Sequence, residues 1–67
     1  MREIKISYDF RKLKGKPKRL LESLGYKIKS YGVQKDTVTL IFLSIEDCPS
    51  VLEELKQMNG LNISTDC

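Results

Sequence analysis

The stretch Thr37-Val38-Thr39-Leu40-Ile41-Phe42-Leu43-Ser44-Ile45 constrains this chain more than any other. It is the most apolar run, rich in the β-branched and aromatic residues that suit a pleated, buried surface. Thr37 and Thr39 first alternate with Val38 and Leu40, and the pattern then becomes apolar on both faces. This predicts a central strand, covered by helices on one side and partly covered on the other. The rest of the chain must pair with that strand or pack against it.

Sixty-seven residues make one small domain, 1–67. Its apolar share of 40% with 31% charged residues is globular rather than disordered. No apolar run approaches the roughly 20 residues needed to cross a bilayer. Met1 to Ile6 alternates too strictly for the core of a signal peptide, so a cytoplasmic location is expected. The chain has no histidine, which removes the commonest general base near neutral pH and, with only two cysteines, argues against a zinc site. Glu53 and Glu54 are adjacent on a predicted helix and do not face each other. No catalytic residue, metal or cofactor is therefore expected: the chain reads as a binding protein and not as an enzyme.

Glu3 to Phe10 alternates as a strand, with Ile4, Ile6, Tyr8 and Phe10 on the inner face. Arg11 to Lys16 reads as a basic loop. Pro17 then opens a helix with the stripe Leu20, Leu21 and Leu24, and Gly25 ends it. Tyr26 to Val33 is a second strand, Tyr26 and Ile28 inward, Lys27, Lys29 and Tyr31 outward. Gln34-Lys35-Asp36 turns into the central strand. Asp47 and Cys48-Pro49 open a second helix with the stripe Val51, Leu52, Leu55 and Met58, which Asn59-Gly60 ends. Leu61 to Thr65 is a short last strand with Leu61 and Ile63 inward.

The order β-α-β-β-α-β, with right-handed crossovers, predicts an α+β fold. The expected form is a ferredoxin-like plait: a four-stranded antiparallel sheet with both helices on one face. In element order the chain resembles amino-acid-sensing regulatory domains, metal chaperones and RNA-recognition motifs. It lacks the Cys-x-x-Cys that metal chaperones carry in the first loop, where Arg11 to Lys16 stands here. Thr39 to Ile45 likewise lacks the aromatic signature of RNA-recognition motifs.

Charge supplies the functional expectation. Residues 1–35 hold eleven Lys/Arg against three acids, or +8, and residues 36–67 one base against six acids, or −5; together they return the net +3. In the plait, the loop after the first strand and the turn at Lys35 share one edge. Arg11, Lys12, Lys14, Lys16, Lys18, Arg19 and Lys35 then form a cationic edge. Lys16 is read as the cap of the first helix; it offers no acceptor, and Lys18 and Arg19 have the wrong sign for that helix end. Such an edge suits a phosphate-bearing partner. The reading is a small binding module whose basic edge, residues 11–19, contacts nucleic acid or another polyanion. The alternative is a protein-interaction, regulatory or inhibitor module that self-associates or binds a partner through its open sheet face, where Lys29, Tyr31, Ile41 and Leu43 are expected.

Cys48-Pro49 resembles the reactive Cys-Pro of sulfur carriers, but it precedes the second helix instead of the first, and the adjacent Glu46 and Asp47 oppose thiolate formation. The topology also predicts that Cys48 and Cys67 lie close enough to form a disulfide on oxidation.

Overall fold

The computed structural model describes residues 1–65. It is an α+β domain with one four-stranded antiparallel open sheet and three helices. The elements in chain order are β1 (Arg2–Asp9), α1 (Phe10–Leu13), α2 (Lys16–Ser23), β2 (Lys27–Gln34), β3 (Thr37–Ser44), α3 (Val51–Lys56) and β4 (Leu61–Ile63). The strands lie in the order β2-β3-β1-β4, so β3 and β1 are interior. The expected closeness of Cys48 and Cys67 lies outside the described residues.

Register explains the core. Ile4, Ile6 and Tyr8 stand opposite Phe42, Leu40 and Val38, and all six are buried on one face. Leu21 of α2 and Val51, Leu52 and Leu55 of α3 join the same cluster, so both helices cover that face. Burying each such side chain is worth about 1.5–3 kcal/mol. The Tyr26 ring meets Phe42 edge-on, 5.2 Å between centroids, which packs the start of β2 onto the core. Gly25, with φ +88, ends α2 as its left-handed stop, and the Tyr26 N–H donates to the Leu21 carbonyl at 3.0 Å. At the end of β3 the buried Ser44 hydroxyl donates to the Glu46 carbonyl at 2.9 Å and accepts from the Glu46 N–H. That local turn ends the strand and leaves Ile45 outside it, exposed.

Several expectations are corrected. β1 ends at Asp9, and Phe10 does not face the core: it opens α1 and is exposed. The cause is Asp9, whose carboxylate accepts the Arg11 N–H at 2.8 Å and so starts a helical turn where a loop was expected. Gly15, not Lys16, caps α2, and Pro17 follows as its second residue. α3 begins at Val51 after Ser50, so Asp47 and Cys48 belong to the preceding loop. Leu24, expected in the helix stripe, is exposed.

β2 departs furthest from the expected alternation. Ile28 pairs with Phe42, yet Ser30 pairs with Ile41, so Lys29 is the extra residue of a β-bulge. One extra residue inverts the alternation beyond it. Tyr31 and Val33 therefore stand opposite Leu40 and Val38 and point to the helix-covered side, not to the open face.

Candidate functional site

The seven expected cations lie along the segment that runs from the end of β1 through α1 into α2, together with the β2–β3 turn. Backbone contacts bind these parts into one unit. The Phe10 N–H donates to the Asp36 carbonyl at 2.7 Å, which ties α1 to the turn. Arg11 Nε lies 3.5 Å from Asp9 Oδ1 and 3.4 Å from Asp36 Oδ2, so one guanidinium bridges both carboxylates. The hydrogen bond from the Arg11 N–H, foremost, and then the Arg11 and Lys12 charges hold the Asp9 carboxyl below its ordinary range. Arg11 thus clamps the edge and is largely committed to it.

Lys18 is also engaged. Its Nζ lies 3.8 Å from Glu22 one turn on and 5.1 Å from the centre of the Tyr31 ring. The bulge makes this contact possible, because it turns Tyr31 toward α2. Lys12, Lys14, Lys16, Arg19 and Lys35 form no ion pair among the described residues. The acids nearest to them in sequence, Asp9, Asp36 and Glu22, already face Arg11 or Lys18. A methyl group on Gly15 would stand 3.7 Å from Arg19 Nη1, so that guanidinium lies back over the entry to α2. Lys12 Cδ would stand 3.5 Å from a methyl on Gly60, which places the aliphatic part of that lysine against the start of β4.

Two of these lysines have unusual backbones. Lys14 has φ +52 and ψ −131, and Lys35 has φ +57. They are the non-glycine residues with positive φ among the described residues, and both belong to the cationic edge. Such a conformation costs about 1–2 kcal/mol for a residue bearing a Cβ. Glycine would avoid it.

At the open face, Ile41 and Leu43 are side by side and half-buried, with Lys5, Lys27 and Glu3 as their partners in register. Lys29 forms an ion pair with Glu3 across β3 and frames this face with charge. The open-face set is therefore Lys29, Ile41 and Leu43, without Tyr31. At the opposite edge Asp47 pairs with Arg2 at 3.6 Å and Glu3 with Lys29. A shallow cleft of about 260 Å³ opens there between Met1, Leu24, Tyr26, Leu43 and Ile45. None of the seven cations lines it.

No group of three or more Cys, Asp or Glu able to hold a metal ion occurs among the described residues. No helix among them is long and apolar enough to cross a membrane. Sequence reasoning missed Phe10 as a member of the basic edge. The sign that could have found it is Asp9 itself, a preferred N-cap residue followed directly by Phe-Arg-Lys-Leu. Among known proteins, no family model, no curated protein and no solved structure matches the chain.

Proposed function

We propose that this chain is a small, non-enzymatic, cytoplasmic binding module whose basic edge contacts nucleic acid or another polyanion. The observation that carries the reading is the pair Lys14 and Lys35. Both hold a backbone conformation that favours glycine, both are lysine, and both belong to one cationic edge. Backbone strain retained at a charged surface is a pointer to function. Supporting it are Lys12, Lys16 and Arg19, which form no ion pair among the described residues, and an α2 entry with neither a side-chain cap nor an acid in its first turn. A phosphate chain would supply the missing negative charge.

We further infer that the layout is a ferredoxin-like plait with α1 added after β1. The order β2-β3-β1-β4 supports this, as do crossovers that carry α2 past β3 and α3 past β1.

Titration with heparin, RNA and DNA at low salt, repeated as salt rises, tests the polyanion reading. Affinity should fall linearly on a log–log plot, with a slope of at most about −3.5 on a single strand if all five cations contact phosphate. Absence of binding to all three polyanions would end it.

A second reading, self-association through the open face, is favoured by Ile41 and Leu43, which lie together on the side no helix covers. Light scattering at rising concentration tests it. A dimer that Ile41→Lys converts to a folded monomer supports it, and a monomer at every concentration refutes it.

A further inference from the structure

We propose that the polyanion met by the basic edge is single-stranded nucleic acid, and that Phe10 is the platform on which one of its bases stacks. This rests on the polyanion reading above and adds the identity of the partner.

Phe10 is 41% exposed, and its ring is not among the half-buried side chains that pack against the core, although Leu13 on the same turn is. Its backbone is held at both polar atoms. The N–H donates to the Asp36 carbonyl at 2.7 Å, and the carbonyl accepts the Lys14 N–H at 2.8 Å. The ring is therefore carried on a fixed turn. Around it in the chain are Lys12, Lys14 and Lys16, and Lys35 is next to the residue that anchors it. An aromatic face set among cations that lack acidic partners is the combination that binds single strands: the cations follow the phosphates, and the ring stacks on a base.

A duplex fits this edge poorly. Its bases are stacked on each other, and reading them needs a helix or ribbon that enters a groove. Here α1 is a single turn, and Pro17 and Leu21 hold α2 down on the sheet. A sulfated polysaccharide would use the cations and leave the ring idle.

The chain has no tryptophan, so Phe10→Trp introduces a single reporter. The experiment measures binding to an oligothymidine of roughly 12 nucleotides, to the same sequence as a duplex, and to heparin. The expected result is tighter binding to the single strand than to the duplex. Phe10→Ala should weaken single-strand binding about 5- to 150-fold and leave heparin affinity unchanged. Phe10→Trp should restore binding, with emission quenched by oligothymidine and not by heparin. If Phe10→Ala loses the fold, the Phe10→Trp emission decides: quenching upholds stacking and constant emission overturns it. Heparin binding with equal single-strand affinity in wild type and Phe10→Ala, or equal affinity for duplex, overturns this inference alone. Failure of the wild-type chain to bind either oligonucleotide or heparin removes the polyanion reading beneath it.

Discussion

Tyr8 carries a phenol into a core cluster otherwise built of hydrocarbon side chains. It is 2% exposed, and no partner meets hydrogen-bonding geometry at its hydroxyl among the described residues. Burial, foremost, pushes this phenol up to about 12, and the neighbouring Tyr31 phenol adds to the shift. A folded-state pKa above the unfolded value near 10 favours the neutral form, so the stability is whole below pH 10 and declines as pH rises toward 12. The loss over that window should be roughly 2–3 kcal/mol. Tyr8→Phe should be as stable as wild type or slightly more so at neutral pH, since the hydroxyl has no bond to lose, and should lack this part of the alkaline decline. Urea midpoints of both proteins from pH 8 to 12 check it; parallel curves would refute it. Lys14 and Lys35 are the opposite case, side chains on a backbone that favours glycine. Lys14→Gly and Lys35→Gly should each raise stability by about 1 kcal/mol, or roughly 4–8 °C in Tm, while each lowers the salt slope of single-strand binding by about 0.7. Unchanged binding in the double variant would show that the two lysines have no part in it.

Among the elements, α1 is too short to be stable alone and depends on its attachments. Asp9 starts it, Arg11 bridges Asp9 to Asp36, and the Phe10 N–H fixes it to the β2–β3 turn. The folded-state pKa of Asp9 is depressed below its ordinary value of 3.8. Its contribution is therefore present above that value and is lost as pH falls below it. Asp9→Ala should lower Tm at neutral pH, and the gap from wild type should close in acid, because wild type then loses the same bonds. Asp9→Asn, which can still accept the Arg11 N–H, should show a smaller gap at neutral pH. Thermal melts from pH 7 to 2 decide it, and a gap that stays constant in acid would contradict it. The bulge at Lys29 has a comparable reach: one residue decides that Tyr31 meets Lys18 and leaves the open face to Ile41, Leu43 and the Lys29–Glu3 pair.

For the molecule as a whole, ion pairs join the +8 and −5 halves of the sequence, Arg2 with Asp47 and Arg11 with Asp36. Arg2–Asp47 and Lys29–Glu3 pair charges at the opposite edge, because the sheet brings first-half bases beside acids from both halves. The excess positive charge is left on the edge of α1, the entry of α2 and the β2–β3 turn. Binding should accordingly respond to position and not to net charge. Lys12→Ala with Lys16→Ala should reduce the single-strand salt slope by about 1.4. Lys5→Ala with Lys27→Ala, the same change in net charge on the open sheet face, should leave the slope as it was. Equal effects of the two pairs in fluorescence anisotropy would mean that the protein binds through its overall charge.

Much of this was written in short stretches of the chain. Alternation in Ile4, Ile6 and Tyr8 and in Val38, Leu40 and Phe42 is local and survives folding, because one face of each interior strand must be buried. The spacing of Leu21, the stop at Gly25, and the concentration of lysine and arginine before residue 36 were equally legible, since each depends on neighbours only a few residues away; the last helix ends at Lys56, short of the Asn59-Gly60 stop expected for it. The outward turn of Phe10 is local too, set by the Asp9 carboxylate, but alternation masked it by continuing the strand through Phe10. Tertiary structure alone decided the rest. The Lys29 bulge reversed Tyr31, and bulges leave no periodic trace when the strand is at an edge and exposed on both faces. The ion pairs at the opposite edge join residues 26 and 45 positions apart, Lys29 with Glu3 and Asp47 with Arg2. No reading of local pattern reaches that far, because such pairs exist only once the strands are laid side by side.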